Sequence, residues 1–411
     1  MEGKDGRAVA CYLRARHSPF EVFAMQTRHV FGLFAVSLFA MGAGWAVAGG
    51  SSTLASKEAL GEALFNDVNL SKNRTMACST CHMADSGFTD HHSRAGDAVS
   101  RGDDGKSFGD RNAPSAAYAA FSPEFHKDAE GKYIGGQFWD GRASRLEDQA
   151  GGPPLNPIEM GMPDEAAIAE RVKQNPDYVK AFTTLFGADA LKDPKSTFRA
   201  TTQAIAAFER TSTFSPFDSR YDRYLRGEVK FTDQEELGRT LFFSTQFANC
   251  SLCHDLKGND GRLETSTFTS HKYFNIGVPA NPVTRKLSGM KADYVDIGLA
   301  ANPVVNGDPA EKGKFKVPSL RNIAVTGPYM HNGVFKDLRT VILFYNKYNS
   351  KKKSRQINPE TGLRWAEPEI ADNLARKELE TGPGLDDQRI DALVAFLKTL
   401  TDKRYEPLLG Q

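Results

Sequence analysis

Two pentads, Cys78-Ser-Thr-Cys81-His82 and Cys250-Ser-Leu-Cys253-His254, constrain this chain more than any other feature of it. Cys-x-x-Cys-His is the spacing of c-type haem attachment. The two thiols form thioethers to the porphyrin vinyl groups, and the adjacent histidine supplies the proximal iron ligand. Of the five cysteines, the fifth, Cys11, lies upstream of a segment patterned as an export signal. Past that segment no thiol is left for a structural disulfide. One pentad alone leaves a redox dithiol open; two, in a chain with no other cysteine beyond Cys11, point to two covalently bound haem c groups.

From Met25 the sequence runs Met-Gln-Thr-Arg28-His29, then an apolar stretch from Val30 to Val47, with Ala46-Val47-Ala48 before Gly49-Gly50. A basic start, an apolar core and a small-x-small site make a secretory signal. Residues 1–48 are therefore read as export signal, with Met25 as the true start and the polar residues before it as an over-long start or an unusual n-region. Gly32, Ser37, Gly42 and Gly44 weaken the stretch as a membrane anchor, and no later run is long enough to span a bilayer. The expected location is the periplasm. The 411 residues suit two or three domains. A net charge of +1 supplies no basic field for nucleic acid.

The chain contains an internal duplication. Leu60-Gly61-Glu-Ala-Leu64-Phe65 precedes the first pentad, and Leu237-Gly238-Arg-Thr-Leu241-Phe242 precedes the second. Behind the pentads, Ala113-Pro114-Ser115 and Phe138-Trp139-Asp140-Gly141-Arg142 are matched by Val317-Pro318-Ser319 and Tyr329-Met330-His331-Asn332-Gly333. The expectation is an all-α protein of two cytochrome c-like haem domains, 52–215 and 216–411, with few short strands. Apolar spacing predicts helices over Asp164–Val179, with Asp164 as N-cap, over Ser196–Arg210 and over Asp386–Leu400. Asp85–Asp110 and Gly258–Gly313 read as long loops.

The sixth iron position separates electron transfer from peroxide chemistry. Aligning Asn332-Gly333 with Asp140-Gly141 sets Tyr345 opposite Pro153, which has no group that binds iron. The second haem thus has a candidate sixth ligand in Tyr345, with an ordinary core tyrosine as the alternative, while the first has an open face. Met290 and Met330 compete as thioether ligands; Met330, beside His331 at a turn, reads as packing.

Both pentads, Arg111-Asn112-Ala113-Pro114-Ser115, Phe138–Arg142, Gln149-Ala150-Gly151-Gly152-Pro153, Asn156-Pro157-Ile158-Glu159-Met160, Val317–Asn322 and Thr326-Gly327-Pro328-Tyr329-Met330-His331 together resemble the bacterial di-haem cytochrome c peroxidase and MauG superfamily over about residues 52 to 403. The resemblance implies an enzyme that takes hydrogen peroxide at the His82 haem, while the His254 haem shares oxidising equivalents. It implies Glu159 as distal acid–base group, Gln149 as a second polar distal residue and Trp139 as relay between the haems. Asn112, Thr326 and Pro328 resemble the ligands of one calcium ion, the last two through backbone carbonyls. His331 resembles an inter-haem residue on the propionate side.

Two features depart from the peroxidases of the family. They usually carry Met at the position of Tyr345, whereas the MauG branch carries Tyr. This places the chain with the MauG branch, whose oxidising equivalents act on an aromatic residue of a partner protein. Some peroxidases also place a distal His after the first pentad; here only His91 and His92 are available, close to the pentad, and they read as solvated loop residues. The second functional reading is a peroxidase drawing electrons from a small cytochrome c or cupredoxin. The third is a non-catalytic di-haem electron carrier. The run Lys351-Lys352-Lys353 with Arg355 reads as a solvated face.

Overall fold

The computed structural model describes residues 54–90, 98–256, 261–291 and 293–410. The export segment, His91 and His92 lie outside the described residues. The first half contributes helices α1 (Lys57–Phe65), α2 (Leu146–Leu155), α3 (Glu165–Lys173), α4 (Pro176–Phe186) and α5 (Pro194–Glu209); the second contributes α6 (Asp233–Phe243), α7 (Leu338–Asn346) and α8 (Asp387–Lys398). Side-chain caps set most of their starts. Asp164 accepts from the Ala167 N–H at 2.8 Å, Asp193 from Ser196 at 2.7 Å and Asp386 from Arg389 at 2.9 Å. Each satisfies a backbone donor that the first helical turn leaves free.

The helix expected over Asp164–Val179 is two helices. Pro176 has no N–H and restricts the residue before it, so α3 stops and Asn175 caps α4, accepting from the Asp177 N–H at 3.0 Å. The segment Gly258–Gly313 is not loop throughout. Asn281 with Pro282 starts a short helix, Pro282–Leu287, by the same chemistry. Strand is confined, among the described residues, to two short antiparallel pairs: β1 (His126–Lys127) with β2 (Tyr133–Ile134), and β3 (Tyr273–Phe274) with β4 (Phe315–Lys316).

The duplication is plain in how helices cross. A Cβ on Gly61 would lie 1.9 Å from the Ala204 carbonyl oxygen and 2.9 Å from the Phe208 Cβ. A Cβ on Gly238 would lie 1.9 Å from the Ala392 oxygen and 2.8 Å from the Phe396 Cβ. So α1 seats on α5, and α6 on α8, through a backbone contact that only glycine permits. One apolar core gathers around Leu60, Leu64, Phe65, Ile205 and Phe208; a second gathers around Leu241, Phe242, Leu393, Phe396 and Leu397.

The halves are tied by buried polar groups, and Ser52–Gln411 is a single compact unit. Tyr118 and Asn322, each four residues past its Ala- or Val-Pro-Ser proline, both adopt left-handed backbone (φ 59° and 61°). Both reach Asp402: the Tyr118 hydroxyl donates at 2.6 Å and the Asn322 amide at 2.8 Å. Arg321, fully buried, donates to Asp222 at 2.7 Å and lies over the rings of Tyr118, Phe217 and Phe268.

Candidate active site

In both halves the pentad forms a single helical turn ending on its histidine. His82 Nδ1 lies 3.1 Å from the Phe88 carbonyl oxygen, and His254 Nδ1 lies 2.9 Å from that of Phe268. Phe88 and Phe268 share the same left-handed φ of 54°, a conformation rare for a large side chain that aims each carbonyl at its imidazole. This bond fixes the ring and its tautomer and leaves Nε2 for a metal. Burial lowers the pKa of both imidazoles, that of His254 to about 4, which favours the neutral form that a metal ligand requires. Burial also pushes all four pentad thiols up to about 12. One continuous cavity runs from Cys78, Cys81 and His82 to Cys250, Cys253 and His254. Four thiols and two oriented imidazoles on an otherwise largely apolar cavity fit two thioether-bound haems.

Near the first pentad, α2 and the turn after it contribute to the cavity wall. Gln149, Ala150, Pro153 and Glu159 all line the cavity. The Glu159 backbone is held firmly: Asp103 N–H donates to its carbonyl at 2.8 Å, and Lys72 N–H donates to the Met160 carbonyl at 2.9 Å. Asp103 is itself fixed by Ser71, Thr75 and the Asn73 N–H at 2.6–2.8 Å. Burial raises the Glu159 carboxyl above the usual carboxylate range and Asp110 adds to this, with Arg142 and Asn156 opposing.

Near the second pentad the wall includes α7, which begins at Leu338 as α2 begins at Leu146. Tyr345 lies in the cavity wall with Cys250, Cys253 and His254. Burial holds its phenol protonated well above its ordinary value, so a phenolate there needs a cation beside it. Met330 also lines the cavity, packed on the second core at a turn residue with φ 74°; Met290 is not among the lining residues.

Trp139 lines the same cavity and is tied to both halves of the chain. Its indole N–H donates to the Asn112 carbonyl at 2.8 Å, and its own carbonyl accepts from the Lys316 N–H at 2.9 Å. Arg111 clamps this region, with Nη1 at 2.7 Å from Asp140 and Nε and Nη2 each at 2.7 Å from the two Asp296 oxygens. His331 stacks on Phe315 with ring centroids 3.6 Å apart. The Asn112 amide donates to the Pro328 carbonyl at 2.7 Å, and Thr326 lines the same cavity. The lysine run stays exposed, while Arg355 pairs with Asp387 at 3.0 Å.

Several cavity residues escaped the sequence reading. Lys316 is half-buried, its pKa lowered to about 8 chiefly by desolvation, and it donates to the Gly136 carbonyl. His271, its pKa lowered to about 3, presents an Nε2 with no hydrogen-bond partner among the described residues. Glu209 is discussed below. Only helical register, placed against the second copy, could have exposed Glu209; nothing local marks the other two.

Two cytochrome c-like halves sharing one cavity define a di-haem c-type oxidoreductase. The family model for di-haem cytochrome c peroxidase matches residues 55–230. The chain is 58% identical to the methylamine utilization protein MauG of Paracoccus denitrificans over 354 residues, which cover 86% of this chain and 90% of the relative. It is 33% identical to a cytochrome c551 peroxidase of Nitrosomonas europaea, over 67% of this chain and 68% of that one. Its fold is similar to the crystal structure of the di-haem peroxidase BthA of Burkholderia thailandensis (TM-score 0.73, 32% identity, 85% and 86% coverage). The chain belongs to the di-haem cytochrome c peroxidase and MauG family, and it is an oxidoreductase carrying two c-type haems.

Proposed function

We propose that this is a MauG-type enzyme of the periplasm, which uses hydrogen peroxide to oxidise an aromatic side chain of a secreted partner protein. The observation that carries this reading is the inequality of the residues lining the cavity: Pro153 and Glu159 on the side of the first pentad and Tyr345 on that of the second, with Trp139 in the same lining. The 58% identity to a MauG favours it over the peroxidase relatives near 33%. No helix among the described residues is long and apolar enough to cross a membrane, which accords with a soluble periplasmic form.

Cys78, Cys81 and His82 would hold one haem, and Cys250, Cys253, His254 and Tyr345 the other; when bound, these groups supply peroxide activation and storage of oxidising equivalents. Gln149 orients peroxide by hydrogen bonding. Glu159 takes the proton from one peroxide oxygen and returns it to the other, which leaves as water. Burial, by raising the pKa of this carboxyl, favours its return of the proton after it has accepted it. Trp139, held rigid at its indole N–H and its carbonyl, conveys electrons between the two ends. The Asn112 side-chain oxygen and the Thr326 and Pro328 carbonyls would hold calcium once the amide turns its oxygen inward.

Glu159→Gln keeps the shape and removes the proton. It should slow the reaction with peroxide by about 10²–10⁴-fold and leave both haems attached. A slowing of less than about threefold would remove Glu159 from the mechanism. Steady-state assay with reduced cytochrome c decides the second reading: fast turnover with that donor, and none with any protein substrate, makes the chain a cytochrome c peroxidase.

A further inference from the structure

The paired helix crossings give an internal control for every residue of α5. Ala204 and Phe208 meet Gly61 as Ala392 and Phe396 meet Gly238, so Ile205 corresponds to Leu393 and Glu209 to Leu397. All four line the haem cavity. A leucine at this position therefore suffices to build the fold, yet the first half places a carboxylic acid there. Glu209 is only 5% exposed, and its Oε2 finds no hydrogen-bond partner among the described residues. Buried carboxyls without partners are costly and rare, so they call for a functional reason.

The charges around Glu209 are few. Arg210 follows it on the same helix, and Glu147 reaches it from α2. These two pair with each other at 2.8 Å and are partly exposed, forming a polar link toward solvent. No charged group of α1 or α3, which also pack on α5, acts on it. On the cavity side its electrostatic neighbour is the Cys78 sulfur. Burial pushes Glu209 up to about 8, and its place in the last turn of α5, at the negative end of the helix dipole, acts in the same direction. Glu209 is distinct from Glu159, which sits on the turn after α2.

We propose that Glu209 is a redox-linked proton site of the Cys78–His82 haem, giving up one proton for each electron that haem loses and taking it back on reduction. The balance is one electron to the oxidant, peroxide in turnover, and one proton from the Glu209 carboxyl to solvent. The cavity's net charge then stays constant as the first haem is oxidised. Leu397 gives the second haem no such compensation. This rests on the attachment of a haem at Cys78 and Cys81.

The test is a spectroelectrochemical titration of the holoenzyme from about pH 6 to about pH 10, resolving the two haems. Mass spectrometry first counts two thioether-bound haems, so failure of the attachment and failure of the proton site are separate results. Ionised Glu209 favours the oxidised state. The first-haem potential should therefore fall as pH rises, by up to ~59 mV for each tenfold drop in proton concentration, while the second stays flat. Glu209→Gln and Glu209→Leu should both abolish that slope with both haems retained. A slope that survives in both variants, or no slope in the di-haem wild type, overturns the proposal.

Discussion

Replacing Arg111 with methionine tests the clamp around Trp139. The guanidinium makes three 2.7 Å hydrogen bonds, one to Asp140 and two to Asp296, with all three side chains at 10% exposure or less. Methionine keeps most of the stem and removes the charge, leaving two buried carboxylates facing each other. Breaking a buried pair from one side costs about 3–5 kcal/mol. Arg142 still reaches Asp140 at 3.1 Å and the Gly298 N–H still donates to Asp296 at 2.9 Å, so the low end, about 3 kcal/mol at neutral pH, is expected. The double variant Arg111→Met/Asp296→Asn should recover much of this. pH gives an independent check. In the wild type, burial acts to raise the Asp296 carboxyl, but the Arg111 bonds and charge overcome it and hold it below the ordinary range. A depressed folded pKa contributes stability above the unfolded value, lost as pH falls through the folded one. Without Arg111, burial prevails and the sign reverses, so acid relieves the variant. Urea unfolding of the holoprotein, followed by far-ultraviolet circular dichroism and Soret absorbance, should show the gap narrowing from about pH 7 toward about pH 4. A gap under about 1 kcal/mol, or one that widens in acid, would refute the reasoning.

Tyr345→Phe should convert the second haem to a form lacking its oxygen ligand, seen as a changed ferric EPR signal with the first haem's signal intact; an unchanged spectrum would remove Tyr345 from the ligand set. Gly238→Ala drives a methyl to 1.9 Å from the Ala392 oxygen and should cost at least about 2 kcal/mol, by urea unfolding. Gly109→Ala, whose methyl would lie 3.7 Å from the Arg111 carbonyl oxygen, should cost far less. Chelation of calcium should lower the melting temperature and loosen Trp139, read by its fluorescence. Asn112→Ala should remove the sensitivity to chelator.

The helical character, and the lining of one cavity by both pentads, Glu159, Pro153 and Tyr345, were legible in the sequence because each rests on a short motif or on the repeat. Pro176 broke a helix whose amphipathic pattern continues on both sides, since periodicity does not register a missing N–H. Pro282 marked a helix start inside a stretch whose composition reads as loop. Contacts between Arg111 and Asp296, 185 positions apart, or between Tyr118 and Asp402, depend on how the copies dock, and a pattern within either copy does not carry that information. Glu209 was hidden differently: one acidic residue at the end of an amphipathic helix looks like surface until its counterpart Leu397 is set beside it.

Asp402 has a consequence for how such a protein can arise and be taken apart. It receives one residue from each copy, Tyr118 and Asn322, at positions the duplication makes equivalent. A single ancestral copy would have filled that place with a partner subunit or left it to water. Here one carboxylate serves both, and Tyr405 close by donates to the Ala84 carbonyl just past the first pentad at 2.7 Å. The last residues of the chain are thus a latch on the first haem site. Trimming them would remove the Asp402 and Tyr405 ties and leave the Arg111–Asp296 clamp to hold the halves, so a nick near the C-terminus should loosen the first haem site at the opposite end of the sequence.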